Sequence, residues 1–411
     1  MFATGLKCTT CNKEFPISHV LYTCPSCSGL LEVDYAYTEI AEHLDRNILF
    51  SRALKSMWRY SELLPVDSYE DITLGEGFTA LSRSKRLEEE LKLGRTYFKL
   101  EFTCPSGSFK DRGASLLAAR AKELGYSGTT IDSSGNAAIS LATFCARAAL
   151  QCLVFVPSYA STGKLTQCIA AGANVIKVNG TRQQTYEAAN KAREKLRLYY
   201  CGFQTNCFSS EGMRTLGYEI CEQFDWTPPD WIIFPVGTGS GLSGCFKGLM
   251  ECRKLGWVNE IPRIACIQSE GCAPISSAFK TKMPIIPVQH PASIAEGLLI
   301  SNPLRGTQVL SILKQTQGVA ETVSDAEIEE AAKLLASREG LYVEPSAAVS
   351  LAGLTKLTSK GELRKDESVV CVLTGSGLKT SDFFKMTATE PLTVEPQADI
   401  SKVIDDIRRS A

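Results

Sequence analysis

The sequence predicts an α/β fold of two open lobes, preceded by a small N-terminal cysteine unit. Three observations carry that prediction. Short apolar runs at 152–156, 175–178, 231–236, 264–268 and 369–373 alternate with segments of helical periodicity, as buried parallel strands do in α/β proteins. Glycine-rich turns follow strands at Gly237-Thr238-Gly239-Ser240-Gly241 and at Thr374-Gly375-Ser376-Gly377. The carboxyl ends of strands are where open sheets bind ligands. Cys8-x-x-Cys11 and Cys24-x-x-Cys27 form a separate pattern at the N-terminus.

The cysteine unit comes first. Two knuckles separated by twelve residues can deliver four thiolates to one tetrahedral zinc. The alternative is two redox pairs, or free thiols, in a small hairpin unit. His19 lies between the knuckles and is expected at the surface, because four cysteines already close the site. The other twelve of the sixteen cysteines are scattered, several inside apolar runs such as those holding Cys152, Cys266 and Cys371. A thiol there behaves as a small hydrophobe, and that usage suits a reducing, cytoplasmic compartment.

Bulk composition narrows the classes. The 411 residues suffice for a large core and two lobes. Hydrophobic content of 44% and charged content of 22% are those of a globular enzyme. A net charge of −1 gives no signature of nucleic acid or anionic membrane as a partner. No apolar run reaches membrane-spanning length.

Residues 28 to about 72 read as a connector with helical patches, among them 52–64 around Trp58-Arg59-Tyr60. A strand is expected over 96–102. The segment 324–340 is a marked helix, with a Ser324/Glu327 capping box, Ile328, Ala332 and Leu335 at helical spacing, and Gly340 to end it. Beyond about residue 386 the chain reads as a proline-containing loop and a short helix over 400–408.

Chemistry concentrates in four turns. In Pro105-Ser106-Gly107-Ser108-Phe109-Lys110-Asp111-Arg112-Gly113 a lysine enters a helix through small residues, where the helix's positive end can hold a phosphorylated ligand near it. Asp111 and Arg112 either orient this turn or are simple helix-start charges. Ser133-Ser134-Gly135-Asn136 can wrap a carboxylate with backbone and hydroxyl donors, although Asn136 alone is equally an N-cap residue. Three glycines in Gly237–Gly241 let backbone N–H groups converge on an anion; the alternative is a plain tight turn. Thr374 ends the strand over 369–373.

In this order the turns resemble the pyridoxal-phosphate (PLP) apparatus of fold-type II, tryptophan synthase β-like enzymes. The chain resembles the threonine synthase family over nearly its whole length. The matching elements are the cysteine ribbon, Trp58-Arg59-Tyr60, Gly75-Glu76-Gly77, Ser106 to Arg112, Ser133 to Asn136, Pro235-Val236-Gly237, Gln268-Ser269-Glu270-Gly271, Glu339 to Ser346, and Leu373-Thr374-Gly375. The resemblance implies Lys110 as the catalytic Schiff-base lysine and Gly237, Thr238, Gly239, Ser240 and Gly241 as the phosphate site. It places Asn136 at the ring hydroxyl, Thr374 at the ring nitrogen, and Ser133, Ser134 and Gly135 at the substrate carboxylate. Cys8, Cys11, Cys24 and Cys27 become the structural zinc ligands. The expected organisation is a zinc-ribbon-like unit at 1–35 and a PLP-dependent catalytic domain at 36–411, with a smaller lobe at about 125–200 inserted in it. Family members are commonly homodimers.

The chain departs from the family on the substrate side. Where threonine synthases read Asn-Pro-Phe-Arg-Leu-Glu-Gly-Gln-Lys-Thr, it reads Asn206 to Thr215, with Ser209 at the arginine and Arg214 at the lysine. Ala137, Thr238 and Ser376 replace the family's threonine, asparagine and histidine. A phosphate monoester without a dedicated guanidinium binds poorly. Three activities are therefore expected to compete. They are threonine synthase on O-phosphohomoserine, β-replacement on phosphoserine or acetylserine as in cysteate synthases, and serine or threonine dehydration. A pseudo-enzyme acting through its ribbon is disfavoured by the intact Lys110, Asn136 and Thr374.

Overall fold

Six strands form the larger sheet, in the order Val319–Val323, Arg263–Ser269, Trp231–Pro235, Ser368–Val372, Arg95–Lys99 and Leu81–Arg83. All pairs are parallel except the last, where Leu81–Arg83 runs antiparallel at the edge. The final strand in sequence, Ser368–Val372, sits centrally, paired through Ile233↔Cys371 and Cys371↔Phe98. It is buried throughout, as is Trp231–Pro235, so both read as continuous apolar runs rather than alternating ones. This insertion makes the turn after Val372 neighbour to the turns after Lys99 and Pro235, which are distant in sequence.

A second parallel sheet runs Asn174–Val178, Gln151–Pro157, Gly128–Ile131, Tyr199–Tyr200. The third is antiparallel, with Ala3–Cys8 between Glu14–Phe15 and Leu31–Tyr35. The computed structural model describes residues 2–160 and 162–380 and scattered positions beyond. It divides into units 1–379 and 380–411, and all that follows concerns the first. The helix expected over 400–408 falls for the most part outside the described residues. Among the described residues no helix is long and apolar enough to cross a membrane.

The helix predicted over 324–340 forms as Asp325–Glu339, with both halves of the Ser324/Glu327 capping box made and Gly340 left-handed at φ +69°. Helical patches form in the connector as expected: a helix at Arg46–Ser51, capped by Asp45, and, within the patch expected over 52–64, a 3₁₀ segment at Met57–Leu63. Arg59 lies in that segment and is buried. Its guanidinium donates to the carbonyls of Leu49 and Leu54 and to Glu222, at 2.5–2.6 Å, winding the chain around one cation. The strand expected over 96–102 stops at Lys99, because Glu101 turns inward to meet Arg112.

Helices Cys207–Gln223 and Ser240–Lys254 lie side by side and parallel, so both N-termini point the same way. Their approach depends on glycine: a Cβ on Gly248 would fall well inside contact with the Arg214 carbonyl. Gly212 does the same against helix Lys110–Glu123, where a Cβ would collide with the Arg112 carbonyl.

Candidate active site

Lys110 is the first residue of helix Lys110–Glu123. Its turn is tied to the end of the central strand by two backbone bonds. Phe109 N–H donates to the Thr374 carbonyl at 3.1 Å, and Ser376 N–H to the Gly107 carbonyl at 3.0 Å. Gly107 holds φ +76°, and a side chain there would sit 3.1 Å from Lys379 Cε.

Asp111 and Arg112 are builders of this turn rather than surface helix-start charges, for both are fully buried. Asp111 accepts from the Ser106 N–H at 2.7 Å and from its hydroxyl at 2.5 Å. Arg112 binds Glu101 twice at 2.7 Å and Glu219 at 2.5 and 2.7 Å, while Lys99 closes the cluster on Glu219 at 2.8 Å. Burial pushes Asp111 up to about 6 against its Ser106 bonds. Burial alone would raise Glu219 too, but Arg112 and Lys99 hold it at about 2.

The Lys110 ammonium lies over aromatic faces, 4.5 Å from the Phe109 ring centre and 5.3 Å from that of Phe203. Burial lowers its pKa to about 8, and the carboxylate of Glu344 opposes the shift. A lysine so placed is partly neutral near physiological pH, as a nucleophile or general base requires.

Asn136 opens helix Asn136–Arg147, whose N-cap Gly135 supplies no side chain. Gly135 N–H leans on the Ser133 hydroxyl at 3.4 Å, and no atom lies within 4 Å of where its Cβ would be. Ser133, Ser134 and Gly135 are half-buried at the N-terminus of that helix, a setting that suits a carboxylate. Asn136 Nδ2 donates to Glu344 at 2.9 Å, and its Oδ1 accepts from Lys379 at 3.1 Å. Glu344 N–H in turn donates to the Gly375 carbonyl at 3.0 Å. The Asn136 and Thr374 turns, 238 positions apart in the sequence, are thus linked through one buried carboxylate.

The Gly237–Gly241 turn begins helix Ser240–Lys254. Gly239 is its N-cap at φ +89° and offers no capping side chain, which leaves first-turn N–H groups beyond that of Ser240 to an anion. Thr238 Oγ1 accepts from Ser240 N–H at 3.3 Å and steadies the turn. A Cβ on Gly241 would meet the Phe109 ring at 2.7 Å, so this turn and the lysine's are in contact. The residues present fit pyridoxal phosphate: uncapped helix N–H groups, a lysine poised near pH 8 and an amide with a spare donor surround one region.

Lys379 and Glu344 were not singled out in the sequence as site residues. The only signal for Lys379 was its place five positions after Thr374. Arg214, the charge that was to stand in for the family lysine, does not serve the site. Its side chain has no exposure and pairs with Glu211 at 2.9 Å and Glu251 at 2.5 Å. It also donates to the Leu63 carbonyl and stacks on Tyr35. Ser209 is turned onto the carbonyls of Phe203 and Asn206, at 3.1 and 2.8 Å.

At the N-terminus the sulfurs of Cys8, Cys11, Cys24 and Cys27 lie within 4.8 Å of one another. Two edges of this cluster are 3.5 Å (Cys8–Cys27) and 3.7 Å (Cys11–Cys24). A tetrahedral ion with bonds of about 2.3 Å needs sulfur separations of about 3.8 Å, so the four thiols fit zinc. The N–H of Cys11, followed by that of Thr10, stabilises the Cys8 thiolate and lowers its pKa to about 6. His19 is exposed. The sheet docks through Tyr35 on Glu211 at 2.9 Å and through the Val33 carbonyl on Lys247 at 2.8 Å. All sixteen cysteines are free.

Residues 72–375 match the family described as pyridoxal-phosphate dependent enzyme. The threonine synthase of Methanocaldococcus jannaschii is 39% identical over 402 residues, 97% of this chain and 98% of that protein. The chain belongs to the threonine synthase family of pyridoxal-phosphate dependent enzymes. The threonine synthase of Methanosarcina acetivorans is 36% identical over 96% of both chains. Among solved structures, maize serine racemase superposes with a TM-score of 0.66 at 19% identity, over 75% of this chain and 91% of that one. At that identity the likeness establishes the fold-type II architecture alone. The shared fold therefore accommodates more than one reaction.

Proposed function

We propose that this protein is a threonine synthase, converting O-phosphohomoserine and water to threonine and phosphate. The observation that carries the reading is full-length similarity to curated threonine synthases together with an intact Lys110–Asn136–Thr374 constellation. When bound, the cofactor supplies an electron-withdrawing ring that stabilises negative charge developing at the substrate's α-carbon. The side chains do the rest. Lys110 Nζ would hold the cofactor and would take the substrate's α-proton, aided by its lowered pKa. The loop from Ser133 to Gly135 takes the α-carboxylate. Thr374 would meet the ring nitrogen with a hydroxyl, which would hold no proton there and would favour elimination and replacement over transamination. The Gly237–Gly241 turn would hold the cofactor's phosphate.

A second reading is β-replacement or dehydration of a serine derivative. What favours it is the state of the leaving-group side: Ser209 is bonded to backbone carbonyls and Arg214 is neutralised by Glu211 and Glu251. The deciding experiment gives the PLP-loaded protein O-phosphohomoserine and measures threonine and phosphate. Stoichiometric release supports the first reading. No release, with phosphoserine or acetylserine consumed instead, supports the second.

We further assign zinc to the four ribbon cysteines, the ribbon to residues 1–35, and the inserted lobe to about 125–200. The family resemblance supports a homodimer, and the free cysteines support a cytoplasmic location.

A further inference from the structure

We propose that Lys379 and Glu344 are positioning residues of the cofactor site, which lock the amide of Asn136 in one orientation and bias the charge beside the cofactor's ring oxygen. The inference rests on the reading that this is a PLP site. An amide normally has two flips of similar energy and is assigned from its partners. Here the partners leave no choice. The Lys379 ammonium can only donate, and it meets Oδ1 at 3.1 Å; the Glu344 carboxylate can only accept, and it meets Nδ2 at 2.9 Å. One Nδ2 hydrogen is taken by Glu344, and the other remains to donate to a ring oxygen. The opposite flip would set the amide oxygen against the carboxylate and its NH₂ against the ammonium.

Both locking groups are themselves held. Glu344 is buried, its backbone N–H is on the Gly375 carbonyl, and its carboxylate packs where a Cβ on Gly375 would lie. The stem of Lys379 lies against Gly107. The charged and titratable groups facing Lys379 are Glu344, Asp111, Lys164 and Cys168, and burial lowers its pKa against the pull of the first two. Glu344 also faces Lys110. One lysine and one carboxylate therefore act with opposite sign on the linkage that Lys110 makes.

The test is the pH titration of the visible absorption band of the PLP-loaded protein, with PLP affinity measured alongside by fluorescence. Lys379→Met removes a positive charge and frees the amide. Both changes favour the protonated, visible-absorbing form, so the midpoint rises, by about one pH unit. Glu344→Gln removes the negative charge while its amide oxygen can still accept from Asn136 Nδ2, so the charge effect dominates and the midpoint falls. PLP affinity drops about tenfold in both, one lost charged hydrogen bond's worth. Lys379→Arg keeps charge and donor and restores the midpoint. Midpoints unmoved in both variants, or moved in the same direction, overturn the proposal, since a packing role carries no sign. A wild-type protein with no band at all would instead defeat the cofactor reading on which it stands.

Discussion

The N–H of Phe109 donates to the carbonyl of Thr374 at 3.1 Å. With the Ser376 N–H bond to the Gly107 carbonyl, it ties the reactive lysine's turn to the turn assigned to the ring nitrogen. It explains why Phe109, an apolar residue, stands at the mouth of the helix. Its backbone fixes the turn, while its ring supports Lys110 and closes on Gly241. Lys110→Ala should abolish both the visible band of the loaded protein and turnover. Turnover that survives this change would end the lysine's assigned role.

Lys110 should titrate near pH 8 in the cofactor-free protein. Only the neutral amine is acylated, so its rate of modification by an amine-reactive reagent should rise with pH and level off above about 8, rather than near 10.5. Between those values the unfolded chain holds a proton that the folded chain lacks, so this group favours folding increasingly as pH rises. In Glu344→Gln the modification midpoint should move lower still. Mass-spectrometric mapping of the labelled lysine checks both.

Arg112 neutralises two buried carboxylates, and its loss leaves them unpaired. Arg112→Met should cost about 3–5 kcal/mol in chemical denaturation. Glu219, held at about 2 against a usual 4.5, contributes stability above pH 4.5 that is lost as pH falls toward 2. The wild type should therefore weaken over that window, and a flat stability profile there would contradict the ion cluster. Gly212→Ala should also destabilise, by about 1–3 kcal/mol, since the Cβ has only the Arg112 carbonyl to displace.

The ribbon should carry one zinc per chain when prepared under reducing conditions, by elemental analysis. Cys11→Ser should lose it. Metal-free protein with four titratable ribbon thiols and an unchanged melting curve on adding zinc would mean that the knuckles are a metal-independent hairpin.

Much of the fold was legible because its signals are local. The helix Asp325–Glu339 is written in Ser324, Glu327 and Gly340, three residues whose side-chain and φ preferences act within one turn. The apolar runs at 231–236 and 369–373 appear as strands displaced by no more than a residue, because a strand buried on both faces needs nothing from its partners but space. The helical patches of the connector were legible, but what Arg59 binds was not. Its actual partners, Glu222 among them, come from elsewhere in the chain. The short edge strand Leu81–Arg83 carried no pattern of its own and exists through pairing with Arg95–Lys99.

By itself the sequence determined the strand–turn–helix units, the four thiols at metal spacing, and the glycine turns whose backbones can face an anion. These follow from torsional preference and short-range periodicity, which the chain carries wherever it goes. Only the tertiary structure decided which charges serve the site and which are internal. Arg214 and Arg112 both lie in polar-looking motifs, yet burial pairs each with carboxylates and removes it from solution chemistry. Lys379 carried no motif of weight, yet it meets Asn136. The reason is physical: a charge's role depends on the dielectric and partners around it, and those are assembled from segments hundreds of residues apart.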